Sequence, residues 1–212
     1  VYGGLHIILS GATLVLLCLY LALYPAVFAW LLNITGLRRD AWYAPFAASG
    51  LWAGLEYIRT YVFTGFSWGA LGYSQYLNLP VIQIADLSGV YGISFLIVFV
   101  NYALAECWTA LKSKNRVPLK IISLSVFVFT AVLIYGYVRI DTLEQQTAAA
   151  PKTAVSVIQG NISQDQKWDK AFKNATVDKY TALSDSQLKQ NPDLVIWPET
   201  ALPFYYGFDR PM

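Results

Sequence analysis

Long apolar runs without a charged residue constrain this sequence more than any other feature. The run from Leu5 to Leu32 contains no Asp, Glu, Lys or Arg. About 20 apolar residues in a helix are enough to cross the ~30 Å hydrocarbon core of a bilayer. Further apolar runs follow it along the first part of the chain. We therefore predict four membrane-spanning helices, at residues 5–32, 41–63, 88–111 and 121–138.

The density of charged residues changes near residue 150. Residues 1–150 contain 8 Lys/Arg and 6 Asp/Glu, whereas the 62 residues of 151–212 contain 7 and 7. Because soluble domains carry about 25% charged residues, the second stretch has an ordinary soluble composition and the first does not. The sequence predicts a transmembrane helical domain at 1–141, a polar, Ala-rich connector at 142–152 and a soluble domain from 153 to 212.

The basic residues orient the predicted spans. The loop at 33–40 contains Arg38 and Arg39, the loop at 112–120 contains four Lys/Arg, and the loop at 64–80 contains no charge. Loops rich in Lys and Arg stay in the cytoplasm. Both basic loops therefore predict that the soluble domain lies on the extracytoplasmic side.

The start of the soluble part shows the pattern of a β–α–β unit. The apolar stretches at 153–159 and 193–197 are typical of buried strands. Between them, a helix is predicted at 169–190, because apolar side chains recur near the 3.6-residue period at Phe172, Ala175, Tyr180 and Leu183. A strand, a helix and a strand within about 45 residues predict parallel pairing of the two strands.

Glu199 follows the second predicted strand directly, in the stretch Trp197-Pro198-Glu199-Thr200-Ala201. Ligands of parallel sheets bind at the carboxyl ends of the strands, and the first strand ends there in Gln159-Gly160-Asn161. A carboxylate on such a rigid edge suits a general base. By position alone, the alternative that Glu199 merely caps the next turn is equally open.

Two ionisable residues, Glu56 and Arg59, interrupt the second predicted span. Their i, i+3 spacing allows them to pair on one face of a helix. Ionisable groups inside a span are costly and are often functional. A structural ion pair is the simpler interpretation, and a contact of these side chains with a lipid headgroup phosphate is the alternative.

The loop at 64–80 is rich in aromatic residues and glycine. An aromatic belt at the membrane–water interface explains this composition. The alternative, which the family resemblance given below implies, is that the loop forms part of the mouth through which acyl chains reach the active site. The candidate access residues are Phe66, Trp68 and Tyr73, with Phe63 and Tyr76 beside them.

The remaining reactive residue types exclude several functions. Cys18 and Cys107 both lie in apolar runs without metal-ligand spacing, so we expect small buried side chains and no metal site. His6 is the single histidine, so no Ser-His-Asp triad is available. The chain has no basic stripe of the kind that binds nucleic acid. We expect no cofactor.

Several separated motifs resemble those of one family, the apolipoprotein N-acyltransferases, which are membrane-bound members of the nitrilase (carbon–nitrogen hydrolase) superfamily. The similarity covers nearly the whole chain. The motifs of the membrane part are Glu56-Tyr-Ile-Arg59, Phe63-Thr-Gly-Phe-Ser-Trp68, Leu71-Gly-Tyr-Ser-Gln75 and Gly89-Val-Tyr-Gly-Ile-Ser-Phe95. The motifs of the soluble part are Gln159-Gly160-Asn161, Lys167-Trp168-Asp169 and the stretch from Leu194 to Ala201.

The resemblance implies a multi-pass α-helical membrane domain followed by the start of an α/β nitrilase-like sandwich domain. The family's site uses a Glu base, a Lys and a Cys nucleophile. Glu199 matches the Glu, and the Lys and Cys are expected beyond Met212. Trp168 matches a tryptophan that the family needs for activity, although composition alone favours a core position for it. We therefore expect the chain to be a fragment that is inactive by itself.

The resemblance also implies a reaction and its location. A cysteine thiolate attacks a phospholipid ester and forms a thioester, and the α-amino group of a diacylglyceryl-modified apolipoprotein cysteine then takes the acyl chain. The partners are thus a phospholipid donor, a lipoprotein acceptor and membrane lipids. The expected location is the bacterial inner membrane, with residues 153–212 in the periplasm.

Two other functions are compatible with the residues. One is a membrane-tethered amidase of the nitrilase type, in which water takes the acyl group. The other is a membrane scaffold or transporter without catalysis, which would lack the downstream Lys and Cys.

Overall fold

The computed structural model describes residues 6–37, 41–167, 169–199 and 201–202. The chain divides into two compact units, Val1–Thr147 and Ala148–Met212. Each unit is described by itself.

The described residues of the first unit form five α-helices. Helix α1 is Ile7–Ile34, α2 is Ala44–Tyr61, α3 is Leu79–Ile82, α4 is Ala85–Lys112 and α5 is Leu119–Ala149. Among the described residues, α1, α4 and α5 are long and apolar enough to cross a bilayer. The chain is therefore a membrane protein. Helix α5 continues through most of the stretch predicted as a connector, 142–152, because that stretch is rich in the good helix formers Ala, Glu and Gln.

The second predicted span, 41–63, contains α2. This helix has 18 residues and is not among the three long apolar helices. It carries Ala, Gly and Ser in place of larger apolar side chains, and it buries residues such as Ala44, Ala48 and Ser49. Small residues let helix backbones approach closely inside a membrane. The count of four spans stays a prediction.

Helices α2 and α4 pack against each other in an antiparallel arrangement. At one end, the rings of Phe46 and Phe99 lie 4.7 Å apart, and Phe99 is fully buried. At the other end, the hydroxyl groups of Thr60 and Tyr91 share a hydrogen bond of 2.7 Å. An interhelical hydrogen bond in a membrane contributes about 0.6 kcal/mol on average. The pair is therefore held mainly by close packing.

The outer helices of the first unit are attached to this pair by aromatic and ionic contacts. The Phe28 ring of α1 lies 5.2 Å from the Trp52 ring of α2. On α5, the Tyr135 hydroxyl donates to Asp86 Oδ2 at 2.8 Å, and Arg139 Nε lies 3.0 Å from the same oxygen. Asp86 belongs to the first turn of α4, where the helix dipole favours a negative charge.

The connection between α2 and α4, residues 62–84, contains a 3-10 helix at Leu71–Gln75 and α3. Gly72 is buried here, and a Cβ atom on it would collide with the backbone oxygen of Val90. Only glycine therefore allows the connection to lie this close to α4. Helical geometry in α4 is interrupted at Gly89, which has φ 61° and ψ −166°.

The second unit contains one parallel β–α–β unit. Strand β1 is Val155–Val157 and strand β2 is Leu194–Ile196, with Val155 opposite Leu194 and Val157 opposite Ile196. Between them lie α6 at Gln164–Lys167, a 3-10 turn at Lys170–Phe172 and α7 at Lys173–Leu188. The core consists of Ile158, Tyr180 and Ala201. The described residues form only these two short strands, so the nitrilase-like sandwich stays a prediction.

Two details of the predicted β–α–β unit are wrong. The strands were expected to be buried, but alternate residues are exposed, with Val157 at 72%. A two-stranded sheet has one face covered by its helix, and its other face remains open among the described residues. In α7, Thr176 is buried, whereas Ala175 is exposed. The apolar spacing identified the helix and the inward positions of Tyr180 and Leu183, but Thr176 packs inward where Ala175 was expected.

Gly72→Ala should destabilise the first unit by about 1–3 kcal/mol, because the added methyl group meets backbone atoms that cannot rotate away. Gly50→Ala is the matched control: a Cβ at Gly50 of α2 meets nothing within 4 Å. That control should be neutral or stabilising by up to about 1 kcal/mol. Thermal unfolding in detergent measures both, and equal melting temperatures for the two variants would contradict the close approach of Gly72.

Candidate functional site

Glu199 lies in a turn directly after β2 and is exposed. The Ile158 N–H, just past β1, donates to the Ile196 carbonyl at 2.9 Å. The carboxyl ends of the two strands are thus adjacent, as parallel pairing requires. The Ala201 N–H closes the turn on the Pro198 carbonyl at 3.1 Å. Glu199 is therefore presented at the strand edge where ligands of α/β sheets bind.

Trp197 anchors this turn to α7. Its indole Nε1 donates to Ser184 Oγ at 2.8 Å, and its ring lies 5.2 Å from the ring of Tyr180. A Cβ atom at Gly160, past the end of β1, would collide with the Tyr180 ring. The segment preceding Glu199 and the segment after β1 are therefore packed on the same tyrosine. Sequence reasoning placed Tyr180 on the helix but missed its role as the support of this edge.

The first unit carries a second candidate cluster, centred on the carboxylate of Glu56. Glu56 is only 3% exposed. Its Oε1 accepts hydrogen bonds from the Leu71 N–H at 2.8 Å and from Trp52 Nε1 at 3.0 Å. The Gly72 N–H next to Leu71 donates to Ser94 Oγ at 2.8 Å. Two successive backbone N–H groups of the α2–α4 connection are therefore held by side chains of α2 and α4.

Glu56 and Arg59 are brought close along α2 but are held by different partners. Their spacing predicted an ion pair, and among the described residues no ion pair within 4 Å joins them. The Arg59 guanidinium instead lies over the Tyr24 ring of α1, 5.6 Å from its centroid. The Glu56 carboxylate is drawn toward the Leu71 N–H, because a buried backbone donor needs an acceptor.

The three aromatic access candidates follow α2 in the chain. Trp68 is 76% exposed and Tyr73 is half-exposed, whereas Phe66 is partly buried and lies 6.2 Å from Trp68. These residues belong to the first unit with Glu56 and Arg59, whereas Glu199 belongs to the second. Trp168, the other soluble-domain candidate, falls outside the described residues, and so do Arg38 and Arg39.

No group of three or more His, Cys, Asp or Glu residues with metal-binding geometry occurs within the described ranges. Cys107 of α4 is half-buried, and Cys18 of α1 is exposed on an apolar helix. Small buried side chains were expected at both positions, so the expectation for Cys18 is wrong. A membrane helix turns such side chains toward lipid when no neighbouring helix covers them.

Together these features define the class of protein: a helical membrane protein whose chain continues into a β–α–β unit with a carboxylate at its edge. Residues 1–103 match the family model of the apolipoprotein N-acyltransferase N-terminal domain. The resemblance indicated by the motifs is therefore confirmed: the chain is similar to the apolipoprotein N-acyltransferase family along nearly its whole length.

Relatives with that name occur in several bacteria. The chain is 42% identical over 208 residues to the apolipoprotein N-acyltransferase of Geobacter metallireducens. This match covers 97% of the present chain and 39% of the relative. It is 34% identical to that of Nitrosomonas europaea, over 97% of this chain and 38% of the relative. It is 35% identical to that of Haemophilus ducreyi, over 95% of this chain and 37% of the relative. The chain thus spans about two fifths of the length of these curated relatives.

Glu56→Ala should release the α2–α4 connection, because it leaves the part-buried Leu71 N–H without its acceptor, at a cost of about 1–3 kcal/mol. Glu56→Gln keeps an acceptor oxygen and should retain most of the stability. Hydrogen exchange at the amides of Leu71 and Gly72 measures the release. Ser94→Ala should speed exchange at Gly72 first. Unchanged exchange at Leu71 in Glu56→Ala would show that this carboxylate does not hold the connection.

Proposed function

We propose that this chain forms the membrane part and the opening of the catalytic domain of an apolipoprotein N-acyltransferase. The reaction transfers an acyl chain from a phospholipid to the α-amino group of the N-terminal diacylglyceryl-cysteine of a lipoprotein. The observation that carries the proposal is the extent of the similarity. A single match of 208 residues covers 97% of the chain. It therefore includes the membrane helices and also most of the β–α–β unit.

Glu199 is the proposed general base. In the first step it accepts the proton of the nucleophilic thiol, whose sulfur bonds to the donor's acyl carbon. It passes that proton to the ester oxygen as the ester bond breaks, so the lipid alcohol leaves and the carboxylate is free again. In the second step it accepts the proton of the lipoprotein amine, which displaces the sulfur. Its exposed position at the strand edge, on a turn fixed by Trp197, supports this role. The Lys and Cys that complete the site are assigned by the resemblance to positions outside residues 1–212.

The proposed arrangement in the cell follows from the charge pattern. Four spans place the basic loops in the cytoplasm and residues 153–212 on the extracytoplasmic face of the bacterial inner membrane. Residues 153–212 are then the N-terminal part of a nitrilase-like domain. Both substrates are anchored in the bilayer, so a catalytic domain tethered at its surface meets them at high local concentration.

Phe66, Trp68 and Tyr73 are proposed to line the route by which acyl chains leave the bilayer. The exposure of Trp68 and Tyr73 supports this, since an amphipathic ring at the interface contacts both lipid and water. Trp168 is proposed to line the cleft of the soluble domain, on the basis of the family resemblance.

The 212-residue chain should form no acyl-enzyme by itself. Its two cysteines lie on the apolar helices α1 and α4, and apolar surroundings disfavour the reactive thiolate. Incubation of the purified chain with phospholipid, followed by intact-mass measurement, tests this. A mass increase of one acyl group that hydroxylamine removes would overturn the prediction.

In the whole protein that carries this chain, Glu199→Gln should abolish thioester formation while leaving folding intact. Loss of a general base costs about 10²–10⁴-fold in rate. Glu144→Gln, the same change at an exposed position of α5, is the control and should behave as the wild type. Thioester accumulation at the normal rate in Glu199→Gln would show that this carboxylate is not the base.

The second substrate distinguishes this activity from a tethered amidase. Mass spectrometry of lipoprotein N-termini from cells depleted of the protein should show free α-amino groups. Lipoproteins that remain fully N-acylated would favour transfer to water.

A further inference from the structure

Helix α5 continues well past the membrane span predicted for it. The predicted span ends at residue 138, whereas the helix runs from Leu119 to Ala149. At 1.5 Å per residue, residues 139–149 extend about 16 Å beyond the span. The chain continues from this extension into the second unit. The direction in which α5 is held at the edge of the span therefore decides where the extension points.

Three side chains join α5 to the first turn of α4 at this level. The Tyr135 hydroxyl donates to both oxygens of the Asp86 carboxylate, at 2.9 Å to Oδ1 and 2.8 Å to Oδ2. Arg139 Nε lies 3.0 Å from the same Oδ2. Asp86 is thus the common acceptor of two α5 side chains that lie one helical turn apart. We call these three residues the latch.

A close backbone contact lies beside the latch. Gly136 of α5 is buried, and a Cβ atom on it would collide with the backbone of Pro80 in α3. Val81, the next residue of α3, is 2% exposed and belongs to a core cluster against which Leu133 of α5 packs. Residues 79–88, which contain α3 and the first turn of α4, therefore hold α5 by its backbone as well as by the latch.

The backbone at Gly89 separates this segment from the rest of α4. Its φ of 61° and ψ of −166° form a combination that is essentially confined to glycine. A Cβ atom there would meet nothing within 4 Å, so the backbone angles and not a lack of space require the glycine. Beyond it, the body of α4 is bound to α2 by the hydrogen bond between Tyr91 and Thr60. The first turn of α4 can therefore change direction at Gly89 while the body of α4 stays on α2.

The charges of the latch are accessible to water. The side chains of Arg139 and Asp86 are 36% and 33% exposed, so water competes for both groups. Ion pairs of this exposure contribute little to stability, and salt weakens them further. At Gly72, by contrast, the hydrogen bond to Ser94 Oγ is buried. The connection between α2 and α4 is therefore fixed at Gly72, whereas its attachment to α5 at Asp86 is easily released.

We propose that the latch opens and closes reversibly and that Gly89 is the joint at which it opens. In the closed state, Asp86 accepts from both α5 side chains and fixes the direction of α5 and its extension. In the open state, water solvates the carboxylate, residues 85–88 turn away from α5 at the joint, and α5 is free to tilt. The latch thereby controls how freely the helix that leads into the second unit moves. It operates whether or not the chain takes part in acyl transfer, so its test measures movement and not activity.

Hydrogen exchange of the chain in detergent measures the opening. The amides of Leu87 and Ser88 donate to the Ile84 carbonyl and report on the first turn of α4. Asp86→Asn should lower their protection factors about tenfold, the effect of losing one charge-assisted hydrogen bond. Tyr135→Phe should act in the same direction. Unchanged protection in both variants would overturn the proposal.

Two matched controls lie on α5. Asp141→Asn removes a carboxylate that accepts from Gln145 of its own helix, and Tyr137→Phe removes the hydroxyl of an exposed tyrosine. Both variants should protect the first turn of α4 as the wild type does. If they lower its protection as much as Asp86→Asn and Tyr135→Phe do, the effect belongs to α5 in general and the latch is refuted.

Salt separates a latch that opens from a contact that is permanently closed. Raising the salt concentration from about 0.01 M to about 1 M shortens the Debye length from ~30 Å to ~3 Å. In the wild type this should speed exchange at Leu87 and Ser88 several-fold and leave Gly72 unchanged. In Asp86→Asn the same salt should have no effect on these amides. Exchange at Leu87 and Ser88 that does not respond to salt in the wild type would contradict a reversible latch.

Spin-label distances test the joint, with both native cysteines replaced by alanine. Labels at the exposed residues Leu87 and Leu104 lie on either side of the joint in α4. Labels at Val126 and Leu143, which are also exposed, have the same spacing within α5 and are the control. Asp86→Asn should broaden the first distance distribution and leave the second unchanged. An unchanged first distribution would show that α4 does not bend there. Circular dichroism verifies folding, and if Asp86→Asn unfolds, the response of the wild type to salt still decides.

Discussion

Inside a bilayer, a backbone N–H group that water cannot reach must find its acceptor within the protein. Helices α1, α2, α4 and α5 meet this requirement internally. The connection between α2 and α4 is irregular and packs into the unit, so its donors need side-chain acceptors. Glu56 supplies the acceptor for Leu71, and Ser94 supplies the one for Gly72. The position of the aromatic side chains that follow α2 depends on these two hydrogen bonds.

Helix α2 is rich in small residues and also contributes a buried carboxylate and a buried arginine. Ala44 and Ala48 are fully buried, and the close approach that such residues permit encloses Glu56 and Arg59 between helices. Enclosure makes an unsatisfied polar atom costly, and it also makes a satisfied one strong and well oriented. The Glu56 carboxylate is therefore held in one arrangement by its donors, whereas an exposed arginine such as Arg116 is solvated.

Much of the local structure was predictable from the residues. The predicted spans at 88–111 and 121–138 fall within α4 and α5, and the span at 5–32 overlaps α1. A long apolar run with few charges strongly favours a membrane helix. The predicted strands contain β1 and β2 in parallel register. The inward position of Tyr180 in α7 was predicted correctly. The expectation for Ala175 was wrong, because its neighbour Thr176 packs inward as readily as an apolar residue of its size. The exposed strand face was also missed, since an apolar run does not reveal how many layers will cover it.

The sequence by itself determined the membrane character of the chain, its change to soluble composition near residue 150, the motifs of the family and the place of Glu199 after a strand. Periodicity and composition carry this information because each depends on residues close together in the chain. Only the tertiary structure decided which polar atoms meet. Glu56 holds the N–H of Leu71 instead of pairing with Arg59, and Asp86 holds Tyr135 and Arg139. Such partners lie 15 and about 50 residues apart, and bringing them together depends on the packing of whole helices.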